Sequence, residues 1–165
     1  MSLELSFRPA QRVDCPLILQ FIKDLAEYEK RSDQVKATVE LLEEWLFEKN
    51  VAEVFFALVS GKEVAFALYF PHFSTFVGQA GLYLEDLYVL PEYRGRGIGK
   101  ACLRKLAQIA LERGYGRFDW QCLDWNTPGI KFYESLEAKP LRDWITFRLE
   151  GKTLDNLAKD ENNCL

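Results

Sequence analysis

Val89-Leu90-Pro91-Glu92-Tyr93-Arg94-Gly95-Arg96-Gly97-Ile98-Gly99-Lys100 joins an apolar run to an amphipathic one. Upstream, residues 82–89 read as a long strand. Downstream, Leu103, Leu106, Ala107, Ala110 and Leu111 recur at helical spacing and predict a helix over about 98–113. A glycine-rich turn between a strand and a helix start is an anion cradle. Glycines let the backbone approach a ligand closely, and the first N–H groups of the helix lack intrahelical partners. The helix dipole adds partial positive charge there, and Arg94, Arg96 and Lys100 add full charges. A ligand carrying phosphates is expected. A Walker A loop fails, because Ala101 follows Gly99-Lys100 and Arg94 stands where the leading Gly belongs. A dinucleotide fingerprint fails too, because Lys100 stands where its third Gly belongs.

Outward from this turn the chain alternates strands and helices. A short strand at residues 5–7 ends at Arg8-Pro9, and Asp14 with Pro16 opens a helix. Leu17, Ile18, Phe21, Ile22, Leu25 and Tyr28 carry that helix to about Lys30. Thr38 caps a second helix through Leu41, Leu42, Trp45 and Leu46. Residues 54–59 and 64–70 read as strands joined by a tight turn at Ser60-Gly61-Lys62, and 71–81 reads as a loop. Gly114 ends the helix after the cradle, and 118–123 is a further strand. Asn126-Thr127-Pro128 opens another helix, a last strand lies around 144–149, and the tail 151–165 is polar. This order predicts an α/β fold with a central sheet in one domain, 1–165, whose core runs over about 5–150.

Composition narrows the partners. The 165 residues suit one domain, and such a chain buries roughly 70% of its unfolded surface without staples. Twenty-one basic against 25 acidic residues give a net charge of -4. A nucleic-acid binder usually shows the opposite balance, because phosphate contacts supply most of its affinity, so no nucleic acid is expected. No apolar run approaches the roughly 20 residues that span a bilayer, so no membrane partner is expected. Met1-Ser2-Leu3-Glu4 lacks the basic cap and apolar stretch of a secretory signal, which predicts a cytoplasmic protein. Cys15, Cys102, Cys122 and Cys164 are far apart and read as reduced thiols; neither they nor the single His72 build a metal site.

Arg94-Gly95-Arg96-Gly97-Ile98-Gly99 fits the Arg/Gln-x-x-Gly-x-Gly/Ala pattern and resembles the GCN5-related N-acetyltransferases. Tyr83-Leu84-Glu85-Asp86-Leu87-Tyr88-Val89 before it resembles the branch of the spermidine/spermine and thialysine acetyltransferases. So do Leu25-Ala26-Glu27-Tyr28-Glu29-Lys30, Leu123-Asp124-Trp125-Asn126, Phe132-Tyr133, and Trp144 with Phe147. The resemblance runs from about Ser6 to Leu149. It implies a mixed, mostly antiparallel sheet flanked by helices, with a splayed cleft for acetyl-CoA, and no metal. It also implies a homodimer acting on a small-molecule amine.

Residue by residue, the resemblance implies that Arg94, Gly95, Arg96, Gly97, Ile98, Gly99 and Lys100 hold the pyrophosphate of acetyl-CoA. Leu87, Tyr88 and Val89 would offer main-chain groups to the pantetheine arm, and Asn126 would be a further contact. The family transfers its acetyl group directly to a neutral amine. Tyr133 matches the acid that protonates the departing thiolate, and Glu85 matches a carboxylate that attracts the amine and relays its proton. Tyr28 and Glu29 match residues that recognise the amine, although an ordinary helix end explains them equally well. Glu85 and Asp86 should face opposite sides of a strand, and they share a site only through a bulge of the kind the family carries. Two family acids are missing. Phe73-Ser74-Thr75-Phe76 replaces an Asp-Pro-Trp stretch, and Arg142, beside Asp143, falls where a further acid is usual. A diamine or a lysine-like amine is therefore expected over spermine. Alternatives are a peptide or amino-sugar amine, a non-catalytic acyl-CoA-binding regulatory module, and a nucleotide-binding module.

Overall fold

Phe21, Phe56, Phe66 and Tyr88 meet in the interior, with the Phe21 and Phe66 rings stacked 5.3 Å apart. They come from one helix and three strands, and their contact sets the architecture of the computed structural model, which describes residues 4–159. Contacts divide the chain into two compact units, Met1–Leu123 and Asp124–Leu165.

The first unit is a five-stranded sheet in the order β1 (Leu5–Pro9), β2 (Glu53–Val59), β3 (Lys62–Ser74), β4 (Gln79–Val89), β5 (Phe118–Trp120). The first four strands are antiparallel, and β5 runs parallel to β4. Phe56 pairs with Phe66 and Phe66 with Tyr88, so these rings share a face, and α1 (Cys15–Tyr28) covers it with Ile18 and Phe21. The opposite face meets α3 (Ile98–Glu112), whose Ile98, Cys102, Leu103, Leu106, Ile109 and Ala110 are buried. Just past the end of α3, Arg113 grips Glu53 of β2 through both carboxylate oxygens.

Several local expectations change. Asp14 precedes α1 but does not cap it, because its carboxylate is held by Arg8 at 2.7 and 2.9 Å and by the Gln11 amide. Thr38 caps α2 (Val39–Leu42) through the Leu41 amide, and the helix then widens into a π turn at Glu43–Glu48. The expected loop at 71–81 is instead the far end of a hairpin, with a turn at 75–78. Pro71 reads as a strand end because it lacks an N–H. It is tolerated because β2 stops pairing at Tyr69, leaving β3 with a ladder on one side only.

That hairpin end holds a polar cluster. His72 of β3 lies across Gly81 of β4, and its Nε2 is 3.2 Å from Asp119 Oδ2 of β5. Arg117 joins Asp119 at 2.8 Å and donates to Ser74 Oγ at 2.9 Å. Gly81 makes this crossing possible, since a Cβ there would sit 2.5 Å from His72 Nε2 and 3.0 Å from Arg117 Cγ.

The second unit holds α4 (Thr127–Glu134) and α5 (Lys152–Lys159). Asn126 caps α4 by accepting from the Gly129 amide, and Pro128 occupies the first turn, as expected. Residues 144–149 form no strand. A strand needs a neighbour to pair with, which the apolar pattern of a segment does not report. The tail is helical over Lys152–Lys159, while residues 160–165, including Cys164, lie outside the described residues. No described helix is long and apolar enough to cross a membrane.

Gly81→Ala should cost about 1–3 kcal/mol, because the new methyl must displace His72 and Arg117 from Asp119. Chemical denaturation checks this, and the loss should shrink in a His72→Ala background.

Candidate active site

The cradle forms where β4 ends. After Val89 come a tight turn at Pro91–Tyr93, then Arg94 and the glycines. Gly95 and Gly97 adopt φ of 71° and 80°, the left-handed region that disfavours side chains. The space where their Cβ atoms would sit is open. Gly97 is the residue before α3 and supplies no side-chain cap, so the amides of the first turn are left to whatever approaches from outside. Ile98, 2% exposed, pins that turn to the core. These features fit a bound pyrophosphate. Arg96 and Lys100 are exposed beside it. Arg94 is engaged differently: its Nε donates to the Val89 carbonyl at 2.9 Å, and its guanidinium lies 4.9 Å from the Tyr28 ring and 5.1 Å from the Tyr88 ring. It thereby ties the end of α1 to the end of β4.

The β4–β5 ladder stops at Leu84 opposite Trp120, while β4 runs on to Val89. Beyond that point Leu87, Tyr88 and Val89 pair with β3 on one side, and among the described residues no strand is registered against them on the other. This is the splay that the sequence resemblance implied.

A bulge sits where the splay begins. Leu68 pairs with Asp86 but Tyr69 pairs with Leu84, so Glu85 is an extra residue in β4. Tyr83 lies opposite Phe70 and Asp86 opposite Leu68, two positions on the same side of β3. Without the extra residue, Tyr83 and Asp86 would face opposite ways. Burial, then the charges of Glu85 and Glu29, pushes the Asp86 carboxyl up to about 7. Burial likewise raises the Glu29 carboxyl. The Tyr83 phenol is raised by burial, then by the charges of Glu85 and Asp119. Glu29 just past α1, Asp86 and Glu85 thus form an acidic line suited to a cation, with the neutral Tyr83 phenol and the Arg117-paired Asp119 beyond it.

A model of the Acetyltransferase (GNAT) family matches residues 18–137. The chain belongs to the GNAT acetyltransferase family. Among relatives of this GNAT chain, a thialysine N-epsilon-acetyltransferase of Sus scrofa is 41% identical over 92% of this chain and 95% of its own. One of Caenorhabditis elegans is 32% identical over 87% and 90% of the two chains. Among solved structures, an integron cassette protein of V. cholerae superposes with a TM-score of 0.78 at 28% identity, covering 96% of this chain and 99% of that one. The chain is an N-acetyltransferase.

Within this GNAT fold the first unit brings together Tyr28, Glu29, Glu85, Asp86, Leu87, Tyr88, Val89 and the cradle. Asn126 and Tyr133 belong to the second unit, at the start and near the end of α4, with the Tyr133 ring 5.3 Å from that of Phe132. The sequence reading missed Tyr83, Arg117 and Asp119, and set His72 aside. Three of them come from three different strands and Arg117 from the residue just before β5, and only the register joins them.

The folded chain holds the Asp86 proton more tightly than an unfolded chain, whose Asp titrates near the ordinary 3.8. Native stability should therefore fall as pH rises from about 4 to about 7. Asp86→Asn removes that penalty, so it should stabilise the GNAT fold by at least about 1 kcal/mol at pH 8 and by much less at pH 4. Thermal melts at the two pH values check this.

Proposed function

We propose that the protein transfers the acetyl group of acetyl-CoA to the side-chain amine of a small lysine-like molecule. The acidic line beside the cradle carries this reading, since it offers a cation site next to an anion site on the same strand. The thialysine acetyltransferase relatives at about 40% identity support the lysine-like substrate.

In this reading the backbone amides of Gly95, Arg96, Gly97, Ile98, Gly99 and Lys100 hold the pyrophosphate, and Arg96 and Lys100 add positive charge. Arg94 holds the loop against Tyr28 and Tyr88. Leu87, Tyr88 and Val89 offer main-chain groups to the pantetheine arm, and Asn126 adds a contact. Bound acetyl-CoA supplies an activated acyl thioester. Tyr28, Glu29 and Asp86 attract and orient the ammonium. A free amine of this kind has a pKa near 10.4, so it must lose a proton before it can attack. Glu85, exposed at the bulge, takes that proton and passes it to water. The Tyr133 hydroxyl donates a proton to the departing sulfur. The reading takes the chain as one acetyltransferase domain, supported by a family match that runs from 18 to 137. A homodimer belongs to the same reading, supported by Trp144, Ile145 and Phe147, which are 69–90% exposed.

Free-thiol release from acetyl-CoA in the presence of S-aminoethylcysteine tests the activity. Tyr133→Phe should remain folded and bind acetyl-CoA, yet lose turnover by roughly 100- to 10,000-fold. Gly97→Asp should abolish acetyl-CoA binding in calorimetry, because it puts bulk and negative charge into the cradle. Unchanged acetyl-CoA affinity in that variant would remove the cradle assignment.

A further inference from the structure

On the reading above, one end of the substrate is accounted for: the amine that is acetylated, at Glu85 and Asp86. Beyond the acidic line, past Tyr83, lies a cluster of mixed charge. Tyr83 and Asp119 are direct partners in the β4–β5 ladder, so their side chains share a face. His72 lies on that face as well, two positions beyond Phe70, the partner of Tyr83. Its ring meets the Tyr83 ring edge-on at 5.8 Å. Arg117 reaches the same patch and holds Asp119. The patch therefore carries a carboxylate and a guanidinium side by side, with an imidazole and a phenol around them. Solvent reaches these side chains, which are 22% exposed for His72, 33% for Asp119 and 41% for Arg117.

We propose that Asp119, Arg117, His72 and Tyr83 form a subsite for the zwitterionic head of an α-amino acid whose side-chain amine lies at Glu85 and Asp86. The α-ammonium goes to Asp119, and the α-carboxylate to the guanidinium of Arg117, with His72 beside it. An adjacent Asp–Arg pair complements an adjacent ammonium and carboxylate in both sign and order. A diamine matches only half of the pair and leaves its cationic end facing Arg117. Spacing agrees. Glu85 and Asp119 are separated by two residues along β4 and one strand across, roughly 8 Å between backbone positions. An extended lysine side chain holds its amine about 6 Å from its α-carbon, within reach of both ends. The apolar body of such a chain would lie over the Tyr83 ring.

His72 Nε2 is buried, and among the described residues it has no hydrogen bond of good geometry. Nε2 faces the Asp119 carboxylate rather than solvent, so the imidazole positions Asp119, and only the exposed part of its ring is open to a ligand. The crossing over Gly81 is what holds the imidazole there.

The test compares kcat/KM of the wild-type protein for S-aminoethylcysteine and for its decarboxylated analogue, bis-aminoethyl sulfide, with acetyl-CoA saturating. The subsite predicts a preference for the amino acid of about tenfold or more. In Arg117→Gln that preference should collapse, with the amino acid losing and the diamine gaining, because Asp119 is then released to the diamine's far cation. A general loss of structure lowers both substrates together and does not reverse their order. Equal wild-type rates on the two substrates, or a preference that survives Arg117→Gln, would overturn the subsite alone. Wild-type inactivity on both amines would overturn the lysine-like reading and the subsite with it.

Discussion

In a regular strand, side chains three residues apart face opposite ways, and a sheet held on both sides gives no freedom to change that. Tyr83 and Asp86 are three apart in β4. They share a face only because Glu85 is looped out of register between Leu68 and Tyr69. The rest of the candidate site depends on this one extra residue. It puts the Asp86 carboxyl on the side where Glu29 follows the end of α1, and it leaves Glu85 exposed at the edge where β5 ceases to pair. A bulge also increases local twist, which fits a neighbouring strand parting from β4 at the same point.

The scaffold around the bulge is stiff, which suits a site that must hold carboxylates close together against their mutual repulsion. Val64, Ala65, Phe66 and Ala67 of β3 are fully buried behind it. On one face Phe21 packs on Phe66 and Tyr88, and on the other Ile98 and Leu106 of α3 are buried. Arg94 adds a tie between the helix end that carries Glu29 and the loop that forms the cradle. Burial first, and then the like charges of Glu85 and Glu29, make an ionised Asp86 costly, and the carboxyl relieves that cost by holding its proton up to about pH 7. In the proposed reaction an arriving ammonium would displace the proton, which would couple substrate binding to proton release.

The cradle was legible because its chemistry is contiguous: glycines, arginines and a helix start within twelve residues can be read without knowing what lies across the sheet. The α/β order and the Asn126 cap were legible for the same reason, since helix caps and periodicity are local. What the sequence hid is what register decides. The hairpin end was mistaken for a loop because Pro71 and small residues look like punctuation, and only the early end of β2 makes a proline acceptable there. Residues 144–149 look like a strand by composition and form none. The meeting of His72, Arg117 and Asp119 across β3 and β5 had no signal in any one segment. The bulge itself entered the sequence reading through family resemblance, and the pairing of Asp86 with Leu68 and of Leu84 with Tyr69 gives it a physical basis.

In the proposed reaction the bulge at Glu85 puts two carboxylates of β4 before one ammonium. Carboxyl-detected NMR, with the protein labelled at Asp and Glu side chains and held in saturating CoA, observes this directly during titration with S-aminoethylcysteine. The Glu85 and Asp86 resonances should shift together, with one midpoint concentration, and Asp86 should lose its proton as the amine binds. A titration in which Glu85 responds while Asp86 keeps its resonance and its proton would contradict it.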